Sequence, residues 1–185
     1  MNFNRKTLAA TVFLAGACIS GVASAEMTKM VGGAAMYPSK NIIQNAVNSK
    51  DNTTLVAAVK AAGLVDTLQG PGPFTVFAPT NAAFAALPAG MVDTLLKPEN
   101  KGELTMVLTY HVLPGHLTTA DLKNAVKDGG GQATFTTVQG EPLPITEKGR
   151  AFDITDSKGR TARITIADVL QSNGVIHVIN KVLMP

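Results

Sequence analysis

The side chains through which this sequence could do nucleophilic, acid–base or metal chemistry are few. Beyond residue 25 it holds His111, His116 and His177, and the serines Ser39, Ser49, Ser157 and Ser172; Cys18 is the one cysteine of the 185 residues. None of those serines stands in the G-x-S-x-G turn that presents an activated hydroxyl. No two histidines have the three- or four-residue spacing that sets two metal ligands on one helix face, and no H-x-H occurs. Asp153, Asp156 and Gly159 are misplaced for a calcium loop. The glycines 129–131 lack the Gly-Lys-Ser/Thr ending of a phosphate loop. No tryptophan is present to stack on a base or a sugar. The spacing therefore calls for no catalytic residue, no metal and no cofactor, and the chain is expected not to be an enzyme.

The N-terminus reads as an address. Arg5 and Lys6 precede an uncharged stretch from Leu8 to Val22, and Ala23-Ser24-Ala25 closes it with small residues. That is the layout of a secretory signal, with cleavage expected after Ala25. The apolar stretch is shorter than the ~20 residues of a spanning helix, and no other long apolar run follows. Ala15-Gly16-Ala17-Cys18 faintly resembles a lipoprotein cleavage site, an alternative that would place a lipid on Cys18. Cleavage after Ala25 would leave a chain with no disulfide and no thiolate ligand. Of sixteen basic residues Arg5 and Lys6 would go, leaving fourteen against thirteen acidic ones. So balanced a charge argues against nucleic acid as a partner. The expected location is secreted or periplasmic.

Helices come first and strands later. Residues 26–38 show no period and read as a leader or linker; a domain is expected over 39–185. Ile42, Ile43, Ala46 and Val47 share one helical face, with Ser39 as its cap. Asn52 would cap a second helix bearing Leu55, Val56, Val59 and Ala62, and Gly63 would end it. Asn52-Thr53-Thr54 also fits a glycosylation acceptor, for which the cap is the stronger competing reading. After Gly70-Pro71-Gly72-Pro73 a strand spans Phe74 to Ala78, and Thr80 caps the next helix. Helical pattern returns over Met91–Leu96 and Glu103–Thr109, and Thr118 with Asp121 forms a capping box. Past the glycine triplet, β-branched residues dominate. Lys148-Gly149, Lys158-Gly159 and Asn173-Gly174 mark hairpin loops, the last with the strongest turn signal. The class is α+β, a single domain with a mostly antiparallel sheet that the Phe74 strand joins.

Three segments carry a resemblance. They are Gly72-Pro73-Phe74-Thr75-Val76-Phe77-Ala78-Pro79-Thr80-Asn81-Ala82-Ala83-Phe84, then Leu108-Thr109-Tyr110-His111-Val112-Leu113-Pro114-Gly115, and finally Ser172-Asn173-Gly174-Val175-Ile176-His177-Val178-Ile179-Asn180. In order and separation they resemble the boxes of the fasciclin-like domain, over about Ser39 to Pro185. Asn81 and Asn180 stand where the family often has aspartate. Asparagine keeps an acceptor oxygen there but no carboxylate charge.

The resemblance implies a wedge-shaped β-sandwich flanked by helices, acting as a non-enzymatic binding module in cell adhesion or cell-envelope association, in a bacterium by the short signal and the bare single domain. A surface protein or a polysaccharide would be its partner. It also implies partner contacts at Tyr110, His111 and Leu113, against the competing reading that these residues are structural. His177 reads as a core residue needing partners for both ring nitrogens, with ligand contact as the alternative. His116, just past a turn, reads as solvated. Some algal relatives bind carotenoids, so a carrier of a small apolar ligand such as a carotenoid or lipid is the second functional expectation. Six methionines beyond residue 25, three of them before Pro38, would supply adaptable apolar surface.

Overall fold

The computed structural model describes residues 28–185; the expected signal segment and Cys18 lie outside them. The chain begins with two short antiparallel strands, β1 (Lys29–Val31) and β2 (Ala34–Met36), joined through Gly32-Gly33. Val31 and Met36 are buried, so the segment expected as a leader carries a hairpin packed into the core. Strands of three residues are too short for alternation to show in the sequence.

Helix α1 (Ile42–Ala46) is capped by Asn41, not Ser39: the Asn41 side chain accepts from the Gln44 amide, and the Gln44 side chain accepts from the Asn41 amide. Asn-x-x-Gln is the reciprocal capping arrangement shifted two residues along. Helix α2 (Thr53–Ala62) buries Leu55, Ala58, Val59 and Ala62 and ends at Gly63 in the left-handed conformation. Asn52 does not cap it with its side chain. Its amide donates to the Pro79 carbonyl (3.0 Å) and its oxygen accepts from Ser49 Oγ (2.9 Å). The orphan Thr54 amide is met instead by Asn81 Oδ1 at 3.0 Å, from far along the chain. Asn52 is also buried, which withdraws the acceptor side chain of the glycosylation triplet from the surface.

After α3 (Val65–Gln69) come β3 (Phe74–Pro79), α4 (Asn81–Ala85) with the Thr80 cap on the Ala83 amide, α5 (Met91–Leu95) and α6 (Lys101–Tyr110). Then follow β4 (Val112–Pro114), α7 (Thr119–Asp128) with its Thr118–Asp121 capping box, β5 (Gln132–Thr136), β6 (Pro142–Lys148), β7 (Ala151–Thr155), β8 (Thr161–Gln171) and β9 (Gly174–Ile179).

The seven strands β3 to β9 form one sheet in the order β4-β3-β9-β8-β7-β6-β5. Every pairing in it is antiparallel except β3 with β9. Long β8 is broken by register shifts between Ile164 and Val169, and such bulges bend a sheet. The sheet curls until the Val138 amide, beyond β5, donates to the Val112 carbonyl of β4 at 2.8 Å. Two apolar cores result. Val76, Ala78, Ile176 and Val178 face the helices α1 to α6. Phe77 and Ile179 point to the other side, into a core closed by β5 to β8 and α7. The central strands are thus apolar on both faces because both faces are covered.

The Asn173-Gly174 signal stands at a hairpin, Gln171 pairing with Gly174 across Ser172-Asn173, and its glycine meets a further demand. Gly174 pairs with Phe74 and is not among the glycines with positive φ. A Cβ there would lie 1.9 Å from the Phe74 carbonyl oxygen, and one on Gly72 would lie 2.0 Å from the Asn173 oxygen. Two glycines let β3 and the β8–β9 turn approach backbone to backbone. Asn173 staples the junction, accepting from the Ile42 amide (3.0 Å) and donating to the Leu68 (2.8 Å) and Gly70 (3.0 Å) carbonyls.

Candidate functional site

Helix α6 delivers Tyr110 and His111 at its last turn, and β4 continues directly into Leu113. The three residues expected at a partner surface are interior: Tyr110 and Leu113 are 0% exposed and His111 2%. The apolar stripe of α6, with Leu104, Val107 and Leu108 buried, rotates the helix so that its last turn meets the sheet. Leu113 then takes the inward side of β4.

What Tyr110 and His111 do there is hold the C-terminal tail. His111 Nδ1 donates to the Val107 carbonyl at 2.7 Å, and Nε2 accepts from the Leu183 amide at 3.0 Å. Tyr110 Oη accepts from the Ser157 amide at 3.1 Å and reaches the Pro142 carbonyl at 3.5 Å. Ser157 Oγ donates to the Met184 carbonyl (3.2 Å). Beside it, Asp156 accepts from the Met184 amide (3.2 Å), the Lys158 and Arg160 amides (3.0 and 2.8 Å) and Arg160 Nε (3.0 Å). Val182, Leu183 and Met184 are all buried beneath this clasp.

Burial holds the His111 imidazole neutral, lowering its pKa from 6.5 to about 4, and raises that of the Tyr110 phenol. A histidine depressed on folding leaves stability intact above its unfolded pKa and removes it as pH falls toward the folded one. Between pH 6.5 and 4 His111 alone should therefore withdraw about 3 kcal/mol. Urea unfolding midpoints at pH 7, 5.5 and 4 test this, with a shallower fall expected in His111→Gln; a flat profile would contradict it.

His177 is 0% exposed on β9. Its Nε2 donates to the Leu117 carbonyl at 2.8 Å and its Nδ1 accepts from the Asp168 amide at 3.3 Å. The ring stacks on Phe77 with centroids 5.8 Å apart, and burial lowers its pKa. It is a satisfied core histidine of the opposite tautomer to His111. Asp168 sits in the β8 bulge with φ 53°, and its carboxylate accepts from the Thr119 amide (2.7 Å) and hydroxyl at the start of α7. His116 is exposed. Among the described residues no three His, Cys, Asp or Glu gather as a metal site.

The two asparagines in place of aspartate use their amides structurally. Asn81 donates to the Lys50 carbonyl (2.8 Å) and Thr53 Oγ1 (2.9 Å) while capping α2, and Asn180 Oδ1 accepts from the Arg163 amide at 2.8 Å.

A second feature had no signal in the sequence. Between the helices and the β3–β9 pair lies an apolar cavity of about 60 Å³. Its floor includes Met36, Ile42, Ile43, Val59, Val76 and Ile176, all buried. Val56, Leu64, Thr67, Phe74, Thr109 and Val138 line it and are partly or fully exposed, so they form its rim. Met36 is the one methionine in its wall. The lining draws on elements more than a hundred residues apart, which is why no local pattern betrays it.

A curled sheet with a helical layer on one face, and a Tyr-His pair buried as scaffold, defines a helix-flanked sandwich domain. The fasciclin domain family model matches residues 50–185, and the chain belongs to that family. It is similar to the protein sll1483 of Synechocystis sp., 44% identical over 162 residues, which cover 86% of this chain and 82% of the relative. It is 40% identical over 131 residues to the pig transforming growth factor-beta-induced protein ig-h3, covering 71% of this chain and 17% of that protein. The structure of a FAS1 domain pair from the insect cell adhesion molecule Fasciclin I superposes with a TM-score of 0.70 at 18% identity, over 80% of this chain and 52% of that one. Among the described residues no helix is long and apolar enough to cross a membrane.

Proposed function

We propose that the chain is a non-enzymatic binding module acting outside the cytoplasm, in adhesion or association with the cell envelope, with a surface protein or polysaccharide as partner. One observation carries this reading. The Tyr-His pair is consumed by internal bonds, whereas three of the five exposed large apolar side chains, Met30, Tyr37 and Val47, stand on the hairpin–α1 unit. Exposed apolar residues drawn from one unit mark an interaction face better than residues scattered singly. Lys40 Nζ lies over the Tyr37 ring, 5.0 Å from its centroid, which sets a cation on the aromatic face. The likeness to a domain pair from an adhesion molecule supports the same class of activity.

The test is a titration of labelled protein onto purified envelopes of the producing cell. Saturable binding is expected, weakened about tenfold by the double substitution Met30→Lys, Tyr37→Ala and unchanged in Tyr110→Phe. Non-saturable uptake, or loss only in Tyr110→Phe with folding intact, would overturn it. A second reading, carriage of a small apolar ligand such as a carotenoid or lipid, is favoured by the apolar cavity.

A further inference from the structure

The hairpin–α1 unit has a second property besides its exposed apolar side chains: its charge has one sign. From Thr28 to Lys50 the sequence carries Lys29, Lys40 and Lys50 and no carboxylate. All three lysines are exposed, and none is in an ion pair among the described residues. Lys29 Nζ donates to the Ala167 carbonyl, a neutral partner that leaves its charge uncancelled. The elements around the unit bring Asp51, beside Lys50, Asp66 on α3 and Asp168 in the β8 bulge. Asp168 is already taken up by the Thr119 amide and hydroxyl.

The register of the hairpin fixes which side chains stand beside these cations. Val31 and Met36 are buried, so alternation turns Met30 and its partner Ala35 outward, with Tyr37 two residues further on the same side. The Tyr37 backbone is then clamped at both polar groups by Asn45, which is 0% exposed. The Tyr37 amide donates to Asn45 Oδ1 at 3.1 Å, and Asn45 Nδ2 donates to the Tyr37 carbonyl at 2.8 Å and to Gln171 Oε1. Lys40 is held in turn: its amide donates to the Tyr37 carbonyl (3.0 Å), and its carbonyl accepts from the Ser172 amide (2.9 Å). A ring with a cation set on it is thus fixed before any partner arrives, which lowers the entropic cost of binding.

The distribution of these groups selects the kind of partner. A protein interface is built around a closely packed, desolvated centre. Here Met30, Tyr37 and Val47 stand apart on β1, after β2 and at the end of α1, and none of them lines the apolar cavity. The lysines are spread over the same elements. Separate cations interleaved with single apolar surfaces suit an extended polymer that repeats its charge, each sugar offering an apolar C–H face beside an anionic group.

From these observations we infer that the hairpin–α1 face binds an acidic polysaccharide, with its anionic groups at Lys29, Lys40 and Lys50 and its sugar faces against Tyr37 and Met30. This deepens the binding-module reading and rests on it.

The experiment titrates the full chain lacking only residues 1–25 with polygalacturonate and with dextran sulfate. Methyl-esterified polygalacturonate and plain dextran are the uncharged counterparts. Saturable binding to a charged polymer and none to its uncharged form is expected, weakening as sodium chloride rises from about 0.05 to about 0.5 M. Binding of one charged polymer or of both supports the site and identifies the anionic group. Lys40→Gln with Lys50→Gln should weaken binding about tenfold at an unchanged thermal midpoint. Lys148→Gln with Arg150→Gln removes the same charge from the exposed β6–β7 turn and should leave binding unchanged. Met30→Glu and Met30→Lys lose the same apolar contact with opposite charge, so the glutamate should bind at least about tenfold more weakly than the lysine. Equal loss in the two basic pairs, or equal binding by the two Met30 variants, overturns the inference. Binding to phosphatidylglycerol vesicles with neither charged polymer bound also overturns it and names a membrane instead. Saturable, Tyr37-dependent binding to envelopes that neither charged polymer competes away would remove the polysaccharide and leave the binding module standing. Absence of saturable binding to envelopes as well would remove both.

Discussion

Replacing Gly174 by alanine should destabilise the fold severely. The added methyl would stand 1.9 Å from the Phe74 carbonyl oxygen and 2.8 Å from its carbon, both backbone atoms of the strand paired in parallel with β9. No rotamer change relieves a backbone clash, so β3 and β9 must separate, and these two strands divide the two cores. The expected loss is about 3 kcal/mol or more, at the upper end of overpacking effects. For a domain of this size that lowers the thermal midpoint by about 10 °C. Gly102→Ala is the internal control. It lies in α6 with nothing within 4 Å of the new Cβ, and alanine there should be neutral or stabilising by up to about 1 kcal/mol. Far-UV circular dichroism melts of both variants decide the matter. A Gly174→Ala midpoint within a degree or two of the wild type would refute the close approach.

Asp156→Ala should be the most damaging side-chain truncation outside the apolar cores. The carboxylate is buried and accepts from three backbone amides, those of Lys158, Arg160 and Met184, besides the Arg160 guanidinium. Truncation strands those donors where water reaches poorly, and a loss of about 3 kcal/mol is expected. The tail is the specific readout. Hydrogen exchange at Leu183 and Met184 should accelerate before that of β9, since His111 and Ser157 alone would then hold it. A loss below about 1 kcal/mol, with the tail still protected, would show that the clasp does not depend on Asp156.

The order of elements was legible because each has local chemistry. Thr80, the Thr118–Asp121 pair and Gly63 act at helix ends where their types demand it, and Gly149 and Gly159 stand in the hairpin loops that were expected. The misses share a cause. Asn52 is placed as a cap in the sequence, yet its amide is drawn to Pro79 in the next layer while Asn81 takes over the cap. Asn173-Gly174 does mark the hairpin between β8 and β9, but the need for its glycine comes from Phe74, a hundred residues earlier. Tyr110 and His111 look exposable beside Pro114-Gly115, and only the buried stripe of α6 and the returning tail enclose them. Tertiary partners, absent from any local window, decide these positions. Asp156 carries a local signal besides its misfit to a calcium loop: an aspartate three residues before a glycine is a turn-forming pattern.

The most direct test of where the module binds is to place a photo-crosslinking residue at Tyr37 in one variant and at Pro114, exposed next to Leu113, in another, and to irradiate each on saturated envelopes. Capture of an envelope component from Tyr37 and not from Pro114 is the expected result. Capture from Pro114 alone would return the binding face to the Tyr-His loop and contradict the hairpin assignment.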